Sequence, residues 1–175
     1  MLTINDLYGS DCQNKFSIAQ GLYLTLGVRI ENEPISHSLA RLQSLAADLA
    51  GQMAAMDFGR VCTQCAAKPN GGCCSRAIAD ENDAIQLLMN LLAGVPVALC
   101  RDNRHECTFL GATGCTLSFK PIFCLNYDCL AIKECAHGDG ADRYDSLRGS
   151  LLQEQWRLEQ LLLESLTHLG ELKIS

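Results

Sequence analysis

Val61-Cys62-Thr63-Gln64-Cys65-Ala66-Ala67-Lys68-Pro69-Asn70-Gly71-Gly72-Cys73-Cys74-Ser75 carries four cysteines and no apolar period of either helix or strand. A segment without periodic apolar residues has little to bury, so something other than a core must hold it. The Cys62-x-x-Cys65 spacing lets a tight turn aim two sulfurs at one ion. A catalytic dithiol uses the same spacing, but it wants a strand–helix junction with a βαβ pattern nearby. Neither is legible here. Cys73 and Cys74 are adjacent and poorly placed to chelate the same ion, so they suit two different metals, or one ligand and one packed thiol. Gly71-Gly72 before them gives the backbone freedom to wrap a centre.

Outward from this stretch the cysteines continue at Cys107, Cys115, Cys124, Cys129 and Cys135, on turn-rich segments. With Cys62, Cys65, Cys73 and Cys74 these make nine candidate metal ligands, more than one tetrahedral site uses. They imply two sites, or one cluster with packed thiols beside it. Cys12 and Cys100 stand alone and read as small buried hydrophobes. His105 and His137, each two residues from a cysteine, are candidates for mixed ligation, and Asp128 and Asp139 are the carboxylates nearest the thiols. No Ser–His–Asp set, phosphate-cradling glycine loop or dinucleotide fingerprint is present.

The totals narrow the classes. The chain has 175 residues, enough for one domain with its own core, and eleven cysteines, an odd number that forbids complete internal pairing. The N-terminus lacks the basic and apolar regions of a signal peptide, and the uncharged stretch 84–100 is too short and broken to span a bilayer. A reducing cytoplasm is therefore expected, where many cysteines mean metal or redox chemistry rather than bridges. Fourteen basic against twenty acidic residues give a net charge of −6, with no two Lys or Arg adjacent. That excludes a general nucleic-acid binder. No membrane association is expected.

The flanking segments predict an α+β domain, mostly helical with short strands, built around a cysteine-ligated centre. Residues 1–60 read as a strand followed by a helix. Phe16, Ile18, Leu22, Leu24, Leu26, Val28 and Ile30 share one parity, which predicts a half-buried strand or hairpin. A helix follows, capped at Ser36 or Ser38, with a stripe through Leu39, Leu42, Leu45, Leu49, Met53 and Met56 and a stop at Gly59. Residues 61–140 form the cysteine-rich part. Within it a helix capped near Asp80 runs to Gly94, Val95–Leu99 suggests an irregular strand containing Pro96, and turn residues 111–114 separate two short apolar runs. Residues 141–175 hold a closing helix with Leu147, Leu151, Leu158, Leu162, Leu166 and Leu169 in one stripe. The first and last amphipathic helices are expected to pack together, and their leucine stripes also offer a homodimer seam.

Taken in order, Cys62-x-x-Cys65, Cys73-Cys74, Cys107-Thr-Phe-Leu, Gly114-Cys115 and Lys120-Pro121-Ile-Phe-Cys124 resemble a zinc- or iron-chelating cysteine-cluster family (CxxCxxCC, YkgJ-like). The resemblance covers about residues 62–140. The family reads roughly C-x-x-C-x-x-C-C, then C-x-F-L with a following glycine and cysteine, then R-P-x-x-C. This chain departs from it twice, with seven residues between Cys65 and Cys73 and with Lys120 where the family has Arg. A flagellin lysine methylase with an iron–sulfur centre is similar to the family in its cysteine motif. The resemblance thus implies a metal centre here, but it does not carry the methylase reaction over.

Thiolates suit both metals. Zinc knuckles come in compact pairs; only one is present before Cys100, with Cys124 and Cys129 as a second at the upper end of the spacing. Ligands dispersed over 62–135 fit an enclosed 4Fe–4S cluster better. The sequence therefore reads as a metal-binding protein, its cofactor an iron–sulfur cluster or Zn2+, serving redox, sensing or metal delivery to a protein partner. A structural zinc module and an iron–sulfur enzyme or enzyme accessory stay open beside it.

Overall fold

The computed structural model describes residues 1–30, 32–66, 72–99, 106–111, 114–127, 129–136 and 138–173. Among them the chain runs β1 (Leu2–Thr3), α1 (Ile4–Tyr8), α2 (Cys12–Ile30), α3 (Glu33–Ala55), α4 (Phe58–Ala66), α5 (Arg76–Ala79) and α6 (Ala84–Leu92). It continues with β2 (Leu110–Gly111), β3 (Gly114–Cys115), α7 (Ile122–Asn126), α8 (Leu130–Cys135), α9 (Asp139–His168) and β4 (Leu172–Lys173). The domain is mostly helical, with two short two-stranded sheets.

The core assembles on α6. Residues 84–90 are buried all the way round, as an amphipathic surface helix never is. Asp83 caps it by accepting from Gln86 N at 2.7 Å, and Gly94 ends it with φ of 74°, a left-handed conformation that glycine adopts without penalty. Helix α2 lies along α6, and α3 lies along α9 in the most extensive helix pair. Ile35, Leu39, Leu42 and Leu49 of α3 are buried, as are Leu151, Leu158, Leu162 and Leu166 of α9. The expected packing of the two leucine-striped helices is thus met. At this seam Glu154 is buried and accepts from Ser38 Oγ at 2.5 Å, with the Arg41 guanidinium 3.2 Å away. β1 pairs in parallel with β4 through Leu2↔Leu172 and Thr3↔Lys173.

Four expectations need correction. The segment 16–30 is not a strand but most of α2. Among the described side chains α2 buries Cys12, Lys15, Phe16, Ala19, Leu22 and Leu26, at helical spacing, while Leu24, of the supposed strand face, is 80 % exposed. Residues 1–60 therefore do not read as a long strand then a helix; among the described residues their only strand is the dipeptide β1. The cap of α3 is Asn32, whose Oδ1 accepts from Ile35 N at 3.1 Å, so Pro34 lies inside the first turn. The short helix α5 precedes Asp80, which instead accepts from Cys12 N at 2.9 Å. Residues 95–99 form no strand: Val95 N returns to Asn90 O at 2.9 Å, and Pro96 has no donor for a ladder.

The aperiodic reading of 61–75 also changes. Gly59 does not stop the chain; α3 ends at Ala55, and Asp57 turns the backbone at φ of 58° into α4. Cys62 therefore sits on a helix. The two runs flanking the expected turn at 111–114 pair antiparallel as β2 and β3, with Leu110 opposite Cys115.

Candidate functional site

Several separate segments bring Cys62, Cys73, Cys74, Cys107, Cys115 and Cys124 to the wall of one cavity of about 660 Å³. Each is placed by local structure. The corner at Asp57 starts α4, fixed by the Arg60–Asp57 ion pair, and α4 presents Cys62. Cys107 N donates to Cys74 O at 2.9 Å, and Ser75 bridges Glu106, so the vicinal pair and Cys107 are locked side by side. The β2–β3 hairpin brings Cys115 up, held by Thr116 N and Oγ1, both donating to Phe109 O.

Cys124 rides on α7, which three polar side chains of the helical core hold from behind. Asn90 Nδ2 donates to Phe119 O at 2.9 Å, while its Oδ1 accepts from Ser118 N and Phe119 N. Gln155 Nε2 donates to Lys120 O at 3.0 Å. Arg148 Nη1 donates to Leu125 O at 2.9 Å and covers the Tyr144 ring, which meets Phe58 edge-on at 5.1 Å. Phe58 and Tyr144 then line the cavity themselves.

The thiols feel one another. Cys74 and Cys73 share a side-chain hydrogen bond, which holds the Cys73 thiol down to about 6 and pushes Cys74 up. Burial raises Cys107, and Cys115 adds to it. Burial likewise pushes Cys124 to about 12, with Cys115, Cys107 and Cys73 raising it further and the Lys120 ammonium opposing. The thiols raised in this way, Cys74, Cys107 and Cys124, stay protonated until a cation compensates them, and a metal ion would do so by displacing their protons. The donor set, soft sulfurs with no carboxylate or imidazole on the described wall, suits a thiophilic metal. Among the described residues, however, no group of three His, Cys, Asp or Glu side chains is already gathered to hold one ion.

The remaining candidates fall elsewhere. Cys129 and Cys135 pack partly buried against the core and do not line the cavity. Cys12 is buried in the core, as expected. Asp139 is exposed on the first turn of α9, away from the cavity wall. The Cys65 side chain and Cys100, His105, Asp128 and His137 lie outside the described residues. Phe58 and Tyr144 were not singled out in the sequence. Tyr144 continues the leucine stripe one turn before Leu147, the signal that could have found it.

Among the described residues no helix is long and apolar enough to cross a membrane. No family model, curated protein or solved structure matches the chain.

Proposed function

We propose that this chain is a cytoplasmic metal-binding protein that carries a cysteine-ligated centre, an iron–sulfur cluster of the 4Fe–4S type in preference to zinc. The observation that supports it is the convergence of six thiols from distant parts of the chain on one cavity. A single tetrahedral ion needs four ligands and almost no room, because its ligands touch it. A space of about 660 Å³ with six sulfurs on its wall favours a polynuclear centre. The resemblance to the cysteine-cluster family points the same way.

The described cavity wall also bears on the reaction class. Thiols are its most numerous polar side chains, and electron transfer, sensing and metal delivery to a protein partner require only the centre that they would hold. We therefore read the centre as a redox, sensing or delivery device.

Anaerobic purification followed by iron, acid-labile sulfide and zinc analysis, with a visible spectrum, tests the reading. The expected preparation is brown, contains iron and sulfide in equal amounts and bleaches on reduction. Cys62→Ser, Cys107→Ser and Cys124→Ser should each lower the bound iron. A colourless protein with one zinc per chain would replace the cluster with a structural zinc site, and a metal-free protein would end the metal reading altogether.

A further inference from the structure

The thiols occupy only part of the cavity wall. Phe58, Ile78, Leu110 and Tyr144 make an apolar face beside them, and Phe123 and Tyr127 rim the opening at 56 % and 62 % exposure. The volume falls in the range of small-molecule sites, which pair apolar walls with a few placed polar groups. Lys120 is the one charged side chain on the described wall. It is partly buried, and among the described residues no carboxylate pairs with its ammonium.

As the one cation on the described wall, Lys120 offers an entering anion a charge-assisted hydrogen bond. Inorganic phosphate would want several donors converging on it. A single cation beside aromatic rings and aliphatic side chains instead matches an organic acid with an apolar body. We propose that the cavity binds a small aromatic or aliphatic carboxylate next to the thiol side, its body against Phe58, Tyr144 and Phe123 and its carboxylate on Lys120. The proposal rests on the metal reading only in taking the thiol side as the place of the centre. The carboxylate site makes the cavity a place where a ligand meets the centre, as a signal to be sensed.

The test uses anaerobically purified protein whose metal content is measured in the same preparation. Calorimetric titrations compare 2-naphthoate, 2-naphthylmethanol and 2-naphthylmethylamine, which share a ring system and differ in charge. One site per chain is expected, with the acid bound about tenfold or more tighter than the alcohol and the amine weakest. Lys120→Gln should erase the preference for the acid while leaving the alcohol unchanged, and Phe123→Ala should weaken both. If Lys120→Gln does not fold, the order of the three probes on the unaltered chain decides the point. Equal affinities, a preference that survives Lys120→Gln, or no binding by fully metal-loaded protein would each overturn the proposal. So would a Lys120→Gln protein that loses metal but keeps the acid preference, since the charge would then serve the centre. A preparation that purifies anaerobically without metal yet binds naphthoate through Lys120 would sink the metal reading and leave this one standing.

Discussion

Asn90 and Phe119 exchange hydrogen bonds across the domain: the Asn90 amide donates to Phe119 O at 2.9 Å and accepts from Phe119 N at 3.1 Å. Asn90 is fully buried on the central helix, and Phe119 is fully buried five residues before Cys124. A polar side chain thus does what a sheet ladder does elsewhere, satisfying the backbone of an irregular segment in the interior. Asn90→Ala leaves two N–H groups and a carbonyl without partners. It should cost about 3 kcal/mol or more, seen as a lower urea midpoint. The segment bearing Lys120 and Cys124 should lose amide-exchange protection first. An unchanged midpoint would show that water replaces the amide.

Asp83 caps the central helix from a partly buried position, and its carboxyl is raised from 3.8 to about 6, chiefly by burial, with the Glu159 carboxylate adding and the Gln86 hydrogen bond opposing. Between about pH 4 and 6 the folded chain therefore holds a proton that the unfolded chain has lost, and stability falls as pH rises through that window. Above it the ionised carboxylate is retained at a cost of about 2–3 kcal/mol. Asp83→Asn keeps the acceptor for Gln86 N and removes the charge. Its urea midpoint should exceed that of the parent at pH 8, and the advantage should vanish near pH 4. A constant difference across this range would refute the assignment.

Much of this framework was legible in the sequence. The leucine stripe of the closing helix is the face that α9 buries, and the turn chemistry at 111–114 falls where β2 and β3 meet. The α2 stretch misled because Phe16, Leu22 and Leu26 satisfy helical and alternating spacing at once, and only Ala19 and the exposed Leu24 break the tie. Helix α4 was missed because its cysteines were counted as ligands. Counted as small hydrophobes, Phe58, Val61, Cys62 and Cys65 fall three and four apart. The cavity itself was beyond reach. No local pattern says that Cys62 on a helix and Cys115 on a hairpin share a wall, since that depends on how Asn90, Gln155 and Arg148 place the segments between them.

The buried Glu154 has two partners of unequal weight. Ser38 is fully buried, whereas Arg41 is 60 % exposed and its attraction is screened by water. Ser38→Ala should therefore cost more than Arg41→Ala, about 2 kcal/mol against about 1 or less. Thermal unfolding of the two variants in low and high salt checks this, with only the Arg41 contribution shrinking in salt.

Removing metal should act locally. A thiolate-bound zinc supplies about 10–16 kcal/mol of apparent binding energy, on the scale of a whole domain's stability. The helices α2, α3, α6 and α9 bury their own apolar faces and need no such help. Chelator-treated protein should be nicked by protease between residues 61 and 140 while the fragments bearing α3 and α9 stay intact by mass spectrometry. Equal resistance with and without metal would show that the cysteine-rich part folds by itself.

The corner at Asp57 bears on how the chain can vary. With φ of 58° it is the sole non-glycine residue in the left-handed region among those described, and its side chain is exposed. Aspartate and asparagine enter that region at modest cost, glycine freely, and β-branched residues at a steep one. In a saturation library, position 57 should therefore tolerate only a handful of amino acids, like an interior site. Its neighbours on the same surface should accept almost anything. The entry angle of Cys62 would then be guarded from mutation by a residue that touches neither the core nor the cavity.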